Sequence, residues 1–185
     1  MKLQNQDFRK YSDTLFYFCF MRYSPLALTW LLRIYPPFLF QGIWVKKISP
    51  GFQGAQVKIY KTPFNINTNR TLFGGTIFAA ADPIFPILID QYLQKIGFKK
   101  TVAWLKSSQI VFKKPGKTSV EYAVNLSEEV LEECAQTIRT KGKIVRDFTL
   151  EIKDKTGDLC ATVRCETYIR DLNFTFPSRN RNVEP

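Results

Sequence analysis

Alternating apolar and polar positions predict that most of the second half of the chain is β-strand. This two-residue period is typical of strands with one buried face. Turn residues such as Ser49-Pro50-Gly51 separate two of the segments and suit a hairpin. Six strands are predicted, at residues 42–48, 54–60, 101–113, 118–126, 144–153 and 159–170. Their short connections favour antiparallel pairing.

One long apolar run interrupts the strands. It extends from Phe73 to Gly97, is apolar nearly all round, and is too long for a strand. We therefore predict a buried helix that ends at Gly97 and is wrapped by the sheet. A shorter helix is predicted at 127–140, with Ser127 as its cap. The predicted fold class is α+β, an antiparallel sheet around one long central helix.

The first 40 residues are predicted to form helices that pack on this domain. Their apolar stretch is cut by Arg22, Pro25, Arg33 and Pro36, so no run reaches the roughly 20 residues that span a bilayer. No transmembrane segment is expected, and attachment to a membrane surface stays open as an alternative. We predict an N-terminal helical extension at 1–40, one domain at 41–170 and a flexible tail at 171–185.

Composition and charge limit the kinds of ligand and catalysis that the chain can support. The chain has 27 Lys and Arg against 16 Asp and Glu, so its net charge of +11 attracts polyanions such as nucleic acid, anionic lipid or coenzyme A. It contains no histidine, which excludes Ser-His-Asp catalysis, Cys-His catalysis and His-ligated zinc. The four cysteines are scattered, without a C-x-x-C pair, and favour reduced thiols in the cytoplasm. No cofactor is expected.

A short motif carries the most specific signal. An asparagine loop (65–67, Asn-Ile-Asn) precedes the triplet 73–75 (Phe-Gly-Gly), and Asp82 follows eight residues after the first glycine. This order resembles the hotdog-fold thioesterase superfamily, specifically its phenylacetyl-CoA thioesterase type, which has an asparagine loop, His-Gly-Gly and a helix carboxylate. The Asp-Pro step and the run 104–116 resemble an uncharacterised thioesterase-like branch of it. The similarity extends over residues 35–170.

The resemblance implies roles for individual residues. Gly74 stands at the oxyanion glycine, Asp82 at the helix carboxylate and Asn67 at the loop asparagine, so these three are the expected catalytic residues. Phe73 replaces the histidine of the family triplet. The expected substrate-binding residues are Asn65, Phe73, Gly75, Lys113 and Lys114.

The chemistry of these residue types agrees with those roles. Glycines at a helix start let an acyl carbonyl approach free backbone amides, which stabilise an oxyanion. A carboxylate such as Asp82 acts as general base or nucleophile. Eight helical residues rise about 12 Å. The glycine and the carboxylate of one subunit are therefore too far apart, and the resemblance implies that each site uses two subunits.

Structural alternatives to these roles stay open. Asp82-Pro83 is also typical of a helix start, in which case the helix breaks there and Asp82 only caps. The glycines alone would make a tight turn, the asparagines suit ordinary turns, and the lysines suit a solvated edge. Asp90 is expected at the solvated end of the helix, and Cys134 is expected to be inert.

The leading functional hypothesis is hydrolysis of an acyl-CoA or acyl-carrier thioester by a homodimer or homotetramer. The alternative is an acyl- or fatty-acid-binding module without turnover, which the missing histidine and Pro83 favour. No nucleic-acid partner is expected, because no helix-turn-helix, zinc or stacking-sheet motif accompanies the charge. A dehydratase on the same fold would need a histidine.

Overall fold

The computed structural model describes residues 21–175. Its strands are β1 (Ile43–Ile48), β2 (Gly54–Ile59), β3 (Thr101–Phe112), β4 (Val120–Asn125), β5 (Lys143–Asp154) and β6 (Leu159–Asp171). Its helices are α1 (Pro25–Ile34), α2 (Pro36–Phe40), α3 (Gly74–Ala81), α4 (Ile84–Lys95) and α5 (Glu128–Lys141), with a 3-10 turn at Pro50–Phe52. All six predicted strands and the predicted helix at 127–140 are confirmed. The predictions for residues 1–20 and 176–185 lie outside the described residues.

The strands form a single antiparallel sheet in the order β1-β2-β4-β5-β6-β3. Strand β6 illustrates the two faces of the sheet. Its residues Val163, Cys165 and Ile169 are buried, whereas Arg164 and Arg170 are exposed. Helix α5 packs against β5 through one apolar stripe, and the Ser127 hydroxyl caps it by accepting from the amide of Val130. The sheet therefore wraps the central helices on one side.

The predicted central helix is confirmed in place but is divided into two, α3 and α4. Pro83 and Pro86 have no N–H groups to donate to the carbonyls of Ala79 and Asp82, so the helical ladder is interrupted here. Asp82 occupies the C-terminal cap position of α3, and Pro83 precedes α4. No side chain among residues 21–175 caps the N-terminus of α4. The open alternative of a break at Asp82 is thus correct, whereas its capping role has no hydrogen bond to support it.

A buried tyrosine stabilises the break. The carbonyl of Ala80 lies in the last turn of α3, where the ladder is interrupted. The hydroxyl of Tyr122, on β4, donates a hydrogen bond to this carbonyl. A carbonyl buried at a helix end is costly without a donor. Tyr122 therefore fixes the end of α3, and with it the position of Asp82.

Helices α1 and α2 lie against β1, one outer strand of the sheet. Arg33 on α1 donates from Nε to the carbonyl of Val45 (2.8 Å) and from Nη2 to that of Lys46 (2.9 Å). Its guanidinium also lies 4.6 Å from the ring centres of both Trp30 and Trp44. Arg33 thereby covers part of this sheet edge. Within residues 21–175 no helix is both long and apolar enough to cross a membrane.

Candidate active site

The N-terminus of α3 presents free backbone amides. Phe73 precedes the helix, and its carbonyl accepts from the amides of Thr76 (3.0 Å) and Ile77 (3.4 Å). Among the described residues, no acceptor is bonded to the amides of Gly74 and Gly75. Unpaired amides at a helix start, together with the helix dipole, favour a partial negative charge beside them. This is the arrangement that an oxyanion requires.

Two aromatic rings pack directly on these glycines. A Cβ atom on Gly74 would lie 2.9 Å from Cζ of Phe112, and one on Gly75 would lie 2.4 Å from Cε1 of Phe73. The missing side chains at Gly74 and Gly75 therefore leave room for these rings, and a Cβ at either position would displace a ring. Phe73 and Phe112 remain 56% and 55% exposed, and Phe78 is also exposed. The amides thus adjoin an open aromatic surface suited to an apolar acyl group.

The asparagine loop holds the chain that enters α3. Asn65 is buried, its Nδ2 donates to the carbonyls of Gln41 and Tyr60 (both 2.7 Å), and its Oδ1 accepts from the amide of Thr62 (2.8 Å). Its carbonyl also accepts from the amide of Phe73 (2.9 Å). Both hydrogens of its amide group are therefore already used. The geometry gives Asn65 a positioning role, and its predicted contact with substrate stays a prediction.

Asn67 is also engaged within its own loop. Its Oδ1 accepts from the amides of Asn69 (3.0 Å) and Thr71 (3.1 Å), and its Nδ2 donates to the Thr71 hydroxyl (2.8 Å). These are the short-range contacts of a turn-forming asparagine. The turn chemistry considered as an alternative is present, and the catalytic role of Asn67 stays a prediction.

Asp82 is a half-buried carboxylate at the other end of α3. Within residues 21–175 it has no hydrogen-bond or ion-pair partner, and burial raises its pKa above the usual 3.8. It faces β6, where burial chiefly, and the Asp82 charge in addition, raise the pKa of the Cys165 thiol to about 11. A carboxylate with a raised pKa is a stronger base. The length of α3, about 12 Å, separates it from Gly74 of the same subunit.

The predicted lysines flank the glycine end of α3. Lys113 and Lys114 directly follow Phe112, whose ring touches Gly74, and both are exposed. Lys114 forms an ion pair with Asp158, whereas Lys113 has no ion-pair partner in the described part of the chain. The structure thus brings Phe73, Gly74, Gly75 and the lysine segment together, and leaves Asp82 apart.

One prediction in this region is wrong. Asp90 is not at a solvated helix end, because it is 8% exposed in the middle of α4. Its Oδ1 accepts from the hydroxyl of Thr101 (2.6 Å) and its Oδ2 from Nε2 of Gln94 (2.8 Å). The predicted inertness of Cys134 agrees with its complete burial, which raises the pKa of its thiol. No cluster of metal-ligating side chains occurs within residues 21–175.

Comparison with known proteins decides the family. The sequence profile of a family described as a domain of unknown function, DUF4442, matches residues 26–169. The chain belongs to the DUF4442 family. No curated protein matches it significantly.

Solved structures show the fold of this DUF4442 protein. A Pseudomonas aeruginosa protein of unknown function, described as a probable thioesterase, has a TM-score of 0.69 and 17% identity, over 79% of this chain and 95% of its own. A thioesterase from Haemophilus influenzae has a TM-score of 0.61 and 12% identity, over 85% and 98%. The E. coli PaaI protein of the phenylacetic acid degradation operon has a TM-score of 0.50 and 17% identity, over 77% and 88%. The predicted hotdog fold is thereby confirmed.

Proposed function

We propose that this DUF4442 protein hydrolyses acyl thioesters of the acyl-CoA or acyl-carrier type. The observation that carries the proposal is that the amides of Gly74 and Gly75, at a helix N-terminus beside an open aromatic surface, donate to no acceptor in the described structure. The acyl group would lie on the rings of Phe73 and Phe112, with the carbonyl oxygen directed at the amides. Lys113 and its neighbours would meet the anionic carrier.

Asp82 supplies the base in this proposal. It removes a proton from a water molecule, and the resulting hydroxide attacks the thioester carbon. The oxyanion that forms is held by the amides of Gly74 and Gly75. The carbon–sulfur bond then breaks, the proton passes to the leaving thiolate, and a carboxylic acid and a thiol are released. The raised pKa of Asp82 suits this proton transfer.

The site requires two subunits, because α3 separates Gly74 from Asp82. In the described part of the chain β3 pairs only with β6, so its second edge carries backbone groups that none of these residues pairs. Pairing of β3 with the β3 of a second copy would extend the sheet and bring the two ends of α3 helices together. A homodimer is therefore the minimum assembly in the proposal, and a tetramer agrees with it. A cytoplasmic location also belongs to the proposal and rests on the free, buried cysteines.

Asp82→Asn tests the mechanism. Free thiol released from a panel of acyl-CoA thioesters measures the rate, and loss of a general base should lower kcat by about 10²- to 10⁴-fold. Because the Asp82 side chain makes no capping hydrogen bond with the described residues, the free energy of unfolding should change by less than about 1 kcal/mol. In the wild type, the acid limb of kcat/KM should lie above pH 3.8, since burial raises the pKa of this base.

Asp171→Asn is the matched control. Asp171 lies on the same strand as Cys165, which adjoins Asp82, but six residues farther along, or about 20 Å. This variant should keep the wild-type rate. An Asp82→Asn enzyme with full activity would refute the assigned base.

The second candidate is an acyl-binding module without turnover. The specific observation in its favour is that the ring of Phe73 lies against Gly75 where the resembled family has histidine. The same thioester panel separates the two candidates, because binding of acyl-CoA without thiol release from any member would select the module.

A further inference from the structure

Helix α1 is apolar on the side that faces away from the domain. Its buried residues, Leu28, Thr29 and Leu32, face the sheet. Leu26, Trp30 and Ile34 follow one another at four-residue spacing and therefore share the opposite face, where all three are exposed. A helix on the surface of a soluble domain normally has a polar outer face. This helix has none.

The exposed apolar surface continues onto α2. Only Phe38 of this short helix is buried, while the residues around it point outward. Trp30 is 53% exposed and Phe40 is 74% exposed. We define the apolar N-terminal face as Leu26, Trp30, Ile34, Tyr35, Leu39 and Phe40. Contiguous exposed surface of this kind marks an interaction site rather than ordinary scatter.

The apolar N-terminal face is held firmly on the domain. Arg33, the one charged residue of α1 and α2, is partly buried and donates to two carbonyls of β1. The chain before α1 is tied to α4, because Gln91 accepts from the amide of Tyr23 (2.8 Å) and donates to the carbonyl of Met21 (3.1 Å). The face is therefore preformed, and its docking needs no refolding of the domain.

The stretch of chain that carries this face is cationic. From Thr14 to Ala81 the chain contains no Asp or Glu, and the same stretch contains Arg22, Arg33, Lys46, Lys47, Lys58, Lys61 and Arg70. Helices α1 and α2 and strands β1 and β2 all come from this stretch. Lys46 forms an ion pair with Glu121 of β4, with 3.5 Å between Nζ and Oε2. The acidic residues of the domain lie on other elements.

We propose that the apolar N-terminal face docks on the surface of an anionic lipid bilayer. Exposed Trp, Tyr, Leu and Phe enter the interfacial layer, and the surrounding Lys and Arg meet the anionic headgroups. Helix α1 has ten residues and a length of about 15 Å, so it lies on the membrane and does not cross it. A second copy of the chain fits less well, because it would place two cationic surroundings against each other.

Vesicle sedimentation with the full-length protein tests this inference. Wild-type protein should sediment with phosphatidylcholine vesicles that contain phosphatidylserine, less with pure phosphatidylcholine, and less at high salt. A triple variant, Leu26→Ser, Ile34→Ser and Phe40→Ser, should weaken binding at least about tenfold, because the apolar area that enters the bilayer is removed. The double variant Val145→Ser and Leu172→Ser removes exposed apolar residues elsewhere and should bind as the wild type.

Light scattering on the same proteins identifies a different occupant. The inference is overturned if the wild type binds neither kind of vesicle, or if the triple variant binds as well as the wild type. If the wild type does not bind and the triple variant has a lower oligomeric mass, the face is an interface between copies. If the triple variant has the same oligomeric mass and the same vesicle binding as the wild type, another part of the chain covers the apolar N-terminal face. Thiol release plays no part in these readouts, so the result is independent of the proposed function.

Discussion

Asp90 offers a quantitative test of the buried polar network in α4. The ionised carboxylate is disfavoured by removal from water, which outweighs the hydrogen bonds from Thr101 and Gln94 that favour it. As a result the pKa of Asp90 rises from 3.8 to about 6 in the folded protein. Replacement by Asn removes the titrating group and keeps the shape and one carbonyl acceptor.

The sign and size of the effect follow from linkage. Because the folded protein holds the Asp90 proton more tightly than the unfolded chain, protonation stabilises the fold fully below about pH 4. That stabilisation is lost as the pH rises through about 6. A shift of about two pKa units, at about 1.4 kcal/mol each, corresponds to about 3 kcal/mol. The wild type should lose this much stability relative to Asp90→Asn between about pH 4 and 7.

Urea unfolding at a series of pH values measures the difference. The free energy of unfolding of Asp90→Asn minus that of the wild type should rise by about 3 kcal/mol from pH 4 to 7 and then stay constant. Glu129→Gln, on the exposed side of α5, should show no such trend relative to the wild type. A difference between wild type and Asp90→Asn that does not change with pH would refute the burial argument.

Two further substitutions test how the site and the sheet edge are held. Asn65→Ala should lower the free energy of unfolding, measured by urea unfolding, by about 2–4 kcal/mol, because two carbonyls and one amide lose a buried partner. An equal loss of stability for Asn69→Ala, at an exposed position, would contradict this reasoning. Arg33→Lys should lower the free energy of unfolding by about 1–2 kcal/mol in the same assay, because lysine cannot bond both β1 carbonyls while it lies against two Trp rings. Arg170→Lys, at an exposed strand position, should leave the free energy of unfolding nearly unchanged.

Most strands were predictable because each has one buried and one exposed face. The alternation in residues 159–170 is the two-residue period of a half-buried strand, and β6 has that pattern of burial. The turns were predictable because they need special backbone angles. Gly51 and Gly157 adopt φ values of +70° and +87°, which favour glycine. The glycine pair of the site was visible in the same way, as residues whose missing side chains allow close approach.

The parts that were not predicted depend on partners far apart in the sequence. Nothing in the pattern of α4 distinguishes a buried Asp90 from an exposed one, because its burial depends on Thr101 from β3. The position of Tyr122 under the end of α3 likewise follows from sheet pairing. Pro83 and Pro86 indicated a helix break, but the uniformly apolar run around them favoured a single helix. Three-dimensional neighbours, absent from local periodicity, decide each case.

The break at Pro83 also affects how the candidate site is divided. Because α3 ends at Ala81, the amides of Gly74 and Gly75 lie at one end of this helix and the Asp82 carboxylate lies at the other, about 12 Å away. Neither end has both the amides and the carboxylate. Gly74 lies against Phe112 of β3 and Asp82 lies near Cys165 of the neighbouring strand β6, so both ends are close to the β3 edge of the sheet. A second subunit on that side would supply what each end lacks. The opposite side carries Arg33 and the apolar N-terminal face, so assembly and membrane docking would use separate surfaces and need not compete.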